Sequence, residues 1–139
     1  MTRYMFMLLL FMFGCANITT VTPTGIVEGK VVVAPLCGKA SNPNDPNNPC
    51  GLTTEEIGGI YKKYSVVITS TETTTSLRKQ LNHTGLFSFE VPEGNYTLMI
   101  ESEVPNALQF SAVSNIQKAV KVRSGEKQSF ELRVNTGLP

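Results

Sequence analysis

The chain has 139 residues, 12 Lys and Arg against 11 Asp and Glu, a formal net charge of +1 and 41% hydrophobic residues. That length holds one domain with a buried core and not two. The charge balance supplies neither a basic stripe for nucleic acid nor a polybasic membrane patch. A single histidine, His83, and a single aspartate, Asp45, are very few for a hydrolytic or metal site.

The N-terminus reads as an address. Met1-Thr2-Arg3-Tyr4 carries one positive charge, and an apolar run from Tyr4 to Phe13 follows. Spanning a bilayer takes about 20 apolar residues, so this run is too short for an ordinary transmembrane helix. A basic start, a short apolar core and small residues at its end are the plan of a secretory signal. The segment closes on Met12-Phe13-Gly14-Cys15-Ala16. Two cleavage sites fit, one before Cys15 and one after Ala16. Cleavage after Ala16 removes Cys15, and cleavage before it leaves the same pair where Cys15 is itself modified, so both predict a disulfide between Cys37 and Cys50 in an oxidising compartment. These two cysteines have no CxxC spacing and no nearby histidine, so they lack the ligand count zinc needs. Residues 15–24 are Thr-rich and read as a tether.

Residues 25–34 form the first predicted strand, with Val27, Gly29, Val31 and Val33 on one face. Glycine in mid-strand marks a bulge or the close approach of another backbone. Residues 35–62 are a long insertion. The run Ser41-Asn-Pro-Asn-Asp-Pro-Asn-Asn-Pro49 is made of turn-formers and is bracketed by Cys37 and Cys50. Prolines remove donors and bar it from a central ladder. The run lacks the spacing of a calcium loop. Thr53 and Glu56 have capping-box spacing, which predicts one helical turn that Gly58-Gly59 ends at once. Tyr61-Lys62-Lys63-Tyr64 is the candidate binding surface, its tyrosines either outward or packed under the loop.

Residues 65–70 and 74–81 are the next two strands, the latter with Leu77 and Leu81 inward. Asn82 to Gly85 is a turn in which His83 is solvated. Phe87, Phe89 and Val91, then Tyr96, Leu98 and Ile100, alternate about Pro92-Glu93-Gly94-Asn95 and predict a β-hairpin. Residues 103–114 are irregular, with a short edge strand at 107–112. A second hairpin joins 116–122 to 128–134, with Val120, Val122, Phe130, Leu132 and Val134 inward. Short strands, regularly spaced turns and no long helical pattern predict an all-β fold, a single antiparallel Greek-key β-sandwich of about seven strands.

Three resemblances add to this reading. Gly14-Cys15 at the end of the apolar run resembles a bacterial lipobox, with Phe13 and Met12 where a small residue and a leucine are usual. The resemblance implies a signal peptide over 1–14, lipid on Cys15 and membrane attachment through it. Ala16 then favours the outer membrane in a Gram-negative cell. Residues 25–137 resemble the carboxypeptidase regulatory-like domain, a transthyretin-like sandwich. The resemblance rests on Gly25-Ile-Val-Glu-Gly-Lys-Val31, Ser65-Val-Val-Ile68, Thr84-Gly-Leu-Phe-Ser-Phe89 and Val91-Pro-Glu-Gly-Asn-Tyr-Thr-Leu98. It implies a fold rather than a function, since this sandwich serves as an accessory module on many proteins. The collagen-adhesin B-type domain is similar too. Lys30, Glu101 and Asn135 stand where that domain's isopeptide bond would need them, but the alternation turns all three outward. A one-residue slip in each strand would move its apolar set to solvent.

No nucleophile–base pair, phosphate loop or metal cluster is legible, so the chain is expected to be non-enzymatic and without a cofactor. The expected role is that of a lipid-anchored envelope accessory module. The alternatives are a docking subunit of an envelope or adhesin assembly, using sheet edges or the 35–62 loop, and a soluble secreted carbohydrate- or protein-binding domain.

Overall fold

The computed structural model describes residues 18–139, so the predicted signal segment and Cys15 lie outside the described residues. In chain order the elements are β1 (Thr24–Ala34), α1 (Thr54–Tyr61), β2 (Tyr64–Ser70), β3 (Ser76–Gln80), β4 (Leu86–Pro92), β5 (Gly94–Ser102), α2 (Val113–Ile116), β6 (Gln117–Val122) and β7 (Lys127–Asn135). They build a sandwich of two sheets, one ordered β4-β1-β7 and the other β3-β2-β5-β6. The expected all-β sandwich of seven strands is therefore the fold.

Period-two alternation decides which side chains meet between the sheets. Val27, Val31 and Val33 from β1 and Phe87, Phe89 and Val91 from β4 face Val66, Ile68, Leu98 and Ile100 of the other sheet. Leu132 and Val134 of β7, with Val120 and Val122 of β6, complete the far side. At about 25 cal/mol per Å² of apolar area removed from water, burial of this set is the main favourable term in folding.

Pairing differs from the expectation in two respects. The predicted hairpins are not hairpins, because β4 and β5 lie in different sheets, as do β6 and β7. The short connection at Glu93 crosses between layers. Its backbone N–H bonds to the Pro23 carbonyl at 3.2 Å, and its carboxylate accepts from the Ser124 N–H at 2.7 Å. Alternation reports which face is buried and is silent on which strand lies beside which. The second difference follows from the first. With β7 carried over to the sheet of β1, the two run parallel, while the other pairings are antiparallel.

Gly29 is the close approach its position predicted. A Cβ there would run into the Phe130 carbonyl and stand 2.9 Å from the Phe87 ring. Three local expectations are corrected. Leu77 is exposed, because β3 is an edge strand and its five residues are all exposed; Leu81 is buried as expected. Residues 107–112 form turns rather than an edge strand, and Ala107 and Leu108 pack on the core. This segment covers the β7 edge, where the Asn135 N–H donates to Ser111 Oγ at 2.9 Å. Finally, α1 continues through Gly58 and Gly59 to Tyr61. Two helical glycines cost about 1 kcal/mol each relative to alanine. The helix persists because Ile57, Ile60 and Tyr61 lay one face on the core.

Candidate functional site

The clipped insertion is ordered by covalent and polar means. Cys37 and Cys50 form the expected disulfide, with Cα atoms 5.8 Å apart. Inside it, Asp45 Oδ1 accepts from the Asn47 and Asn48 N–H groups at 2.9 and 3.2 Å. Asn48 spans the closing turn, donating to the Leu52 carbonyl at 2.8 Å and accepting from the Leu52 N–H at 3.0 Å. Asp45 and Asn48 thus spend their polar atoms on nearby backbone. The predicted capping box is present. The Thr53 N–H donates to Glu56 Oε2 at 2.8 Å, and Thr53 Oγ1 accepts from the Glu56 N–H at 3.2 Å. The backbone bond from Thr53, reinforced by its side chain, holds the Glu56 carboxyl below the usual glutamate range.

The tetrad Tyr61-Lys62-Lys63-Tyr64 divides in two. Lys62 and Lys63 are exposed, whereas both tyrosines are buried, which corrects the outward reading in favour of packing beneath the loop. Tyr61 ends α1 with its face on the core, and its hydroxyl accepts the Val33 N–H at 3.2 Å. Tyr64 opens β2, and burial pushes its phenol above the ordinary tyrosine value. The two rings join α1 to the sandwich and leave no aromatic platform for a sugar at this place.

Lys30, Glu101 and Asn135 do not come together. Lys30 is exposed on the outer side of the three-stranded sheet, opposite Leu86 and beside Glu131. Glu101 lies on β5 in the other sheet and is ion-paired with Arg78 of β3. His83 is exposed in the turn before β4. Among the described residues, no group of three or more His, Cys, Asp and Glu side chains is arranged to hold a metal. No helix among them is long and apolar enough to cross a membrane.

One concavity among the described residues was not predicted. It is an open groove of about 750 Å³ lined by β1, β4 and β7, with Lys79 of β3 at its rim. Glu28, Lys30, Leu86 and Glu131 are among its lining residues. Glu28 is paired with Lys127 at 2.9 Å and Glu131 with Arg133 at 2.8 Å. Lys30 and Lys79 have no carboxylate within ion-pair distance among the described residues. The sequence hint was Leu86, an apolar residue at an outward position of its strand and more than half exposed. What hid the groove is that it depends on strand order, which alternation does not encode.

No protein-family model and no curated protein matches the chain. Among solved structures the chain is similar to GBS52, a minor pilin of the Gram-positive pathogen Streptococcus agalactiae. The TM-score is 0.50 at 10% identity, over 84% of this chain and 46% of the pilin. It is also similar to a DUF3823 family protein from Parabacteroides merdae, with a TM-score of 0.46 at 16% identity, over 82% of this chain and 47% of that one. The chain thus spans about half the length of these two structures, and the likeness to the pilin supports the β-sandwich fold.

Proposed function

We propose that this chain is a non-enzymatic binding module of the bacterial cell envelope, exported and held at a membrane by lipid on Cys15. The observation that carries the reading is Gly14-Cys15 at the end of a short apolar run, followed by a tether and a β-sandwich. The carboxypeptidase regulatory-like resemblance fits an accessory role of this kind. Several carboxylates of the domain serve its structure. Glu56 caps a helix, Glu93 holds an inter-sheet crossing and Asp45 folds its own loop. An intact mass of the mature protein from bacterial membranes tests the anchor. The expected chain begins at Cys15 and carries diacylglycerol or three acyl groups, and Cys15→Ala releases it from the membrane fraction. A lipid-free chain beginning at Asn17 would replace this reading with a soluble secreted binding domain.

A second reading is favoured by the pilin likeness, and makes the domain a docking subunit of an envelope or adhesin assembly. It predicts one stoichiometric protein partner when the intact protein is cross-linked in its own membrane. Isolation of the monomer alone under those conditions would remove it.

A further inference from the structure

The two sheets are unequal, three strands against four. The side formed by β6 and β7 is closed. A short connection joins the two strands, and Gln128 Nε2 donates to the Lys121 carbonyl at 2.6 Å. Counting across from that side leaves β3 with no strand of the other sheet facing it. Leu77 shows the gap. It stands directly opposite Ile68, on the same face of the sheet, yet it is 41% exposed while Ile68 is 1% exposed. The missing position lies beside β4, the last strand of the smaller sheet.

The β4 edge can accept a strand there. The Val31 N–H donates to the Gly85 carbonyl at 2.8 Å, which fixes the phase of the β1–β4 ladder. In an antiparallel pair, alternate residues bond across and the ones between point away. Phe87, Phe89 and Val91 therefore bond to β1, while Ser88 and Glu90 aim their N–H and C=O groups at the free edge. An added strand uses such groups for affinity and alternate side chains for specificity. Charge narrows the occupant further. The two carboxylates of the groove, Glu28 and Glu131, are already paired, while Lys30 and Lys79 are not. Lys79 and Leu77 are two apart on β3, so they face the same side.

We propose that the β4 edge takes an extended, acidic segment of a partner polypeptide as a fourth strand, an apolar residue covering Leu77 and a carboxylate meeting Lys79. The proposal rests on the binding-module reading above and not on the lipid anchor. A lipid-free mass would remove the anchor and leave this interaction standing.

The test uses the purified protein and the octapeptide Val-Thr-Glu-Thr-Val-Thr-Glu-Thr, which sets valine and glutamate two apart on one face as Leu77 and Lys79 are, with lysine in place of glutamate as control. Amide NMR titration is expected to show the acidic peptide shifting Ser88 and Glu90. The lysine peptide should bind about tenfold more weakly or worse, since like charges across an interface oppose binding. Ser88→Pro removes the outward N–H without touching a bond to β1, and should abolish binding. If that variant fails to fold, the exposed pair Lys30→Glu and Lys79→Glu decides, with a loss of about tenfold or more expected for the acidic peptide. Absence of shifts at Ser88 and Glu90 with the acidic peptide would overturn the proposal, as would unchanged affinity in either folded variant. So would a protein that is dimeric alone and becomes monomeric with Ser88→Pro, because the edge would then belong to a second copy.

Discussion

The sandwich and the clipped insertion at residues 35–53 are ordered by opposite means. In the strands, side chains such as Val66, Leu98 and Leu132 are removed from water, and the backbone is satisfied by the ladders. In the insertion most residues are exposed, and order comes from a disulfide and from Asn and Asp side chains bonded to nearby backbone. The difference concerns where tolerance lies. A close-packed interior feels every added or missing carbon, while an exposed, locally satisfied loop is indifferent to most of its side chains. Changes in the first region should therefore cost global stability, and changes in the second should stay small unless they touch the closure.

The sharpest way to break this contrast is Gly29→Val. The added side chain would meet the Phe130 backbone, which cannot move without separating β1 from β7. Overpacking in cores costs 1–3 kcal/mol when side chains can give way, and backbone blockage should exceed that, at about 4 kcal/mol or more. Urea unfolding, or failure to recover folded protein, reads the effect. A loss under about 1 kcal/mol would mean that the parallel β1–β7 pairing is wrong.

Next in size is Leu98→Ala, at the centre of β5 and fully buried. Truncation of a buried leucine costs about 2–5 kcal/mol, depending on how far the site collapses. Asn47→Ala, in the exposed part of the insertion, should stay within about 0.5 kcal/mol, as surface changes usually do. Equal losses from the two substitutions in the same unfolding assay would erase the distinction between the regions.

The closure itself stands between these extremes. Cys37→Ser with Cys50→Ser opens a short loop, and the chain-entropy account gives about 3 kcal/mol for a closure of this size. The strands should persist after its removal, since neither cysteine lies in a sheet. Circular dichroism should keep its β signal while hydrogen exchange accelerates at Asn42, Asn48 and Gly51, whose N–H groups are bonded within the loop. Loss of the β signal at moderate temperature would show instead that the clip supports the core.

How far each region could be read beforehand follows the same division. Facing in the strands was legible, because Val27/Val31, Phe87/Phe89/Val91 and Leu132/Val134 repeat with the pleat and burial enforces it. Neighbours were not. Pro92-Glu93-Gly94 looks the same whether the chain doubles back in one sheet or crosses to the other, and the choice is made by distant groups such as Pro23 and Ser124. The same blindness hid the groove beside β4 and the unmatched β3. The disulfide was legible from the cysteine count and the export signal, and the Thr53/Glu56 cap because it depends on residues close in sequence. The extent of α1 was not, because packing of Ile57, Ile60 and Tyr61 overrides the two glycines. The tyrosines misled through their lysine neighbours. Tyr61 is the last residue of a helix and Tyr64 the first of a strand, so both can turn inward while Lys62 and Lys63 stay in water.

A more local effect lies where the two regions join, at the capping box that starts α1. Thr53→Ala removes one of its two reciprocal bonds and should cost about 1 kcal/mol. Its pH behaviour separates the cap from ordinary surface charge. Glu56 titrates below the usual glutamate range, chiefly because the Thr53 backbone N–H donates to its carboxylate. A carboxyl whose folded-state value is depressed adds stability above its unfolded value and loses it as pH falls through the folded one. The contribution is therefore present at neutral pH and should vanish in acid, over a window reaching below the unperturbed glutamate value of about 4.3. Side-chain NMR titration should place the Glu56 midpoint in that window, and Thr53→Ala should move it part of the way back, since the backbone donor remains. An unchanged midpoint in the variant would assign the shift to the backbone bond alone. A midpoint at the ordinary value in the unaltered protein would mean that the box does not hold in solution, and that α1 starts on the packing of Ile57 and Ile60 without a cap.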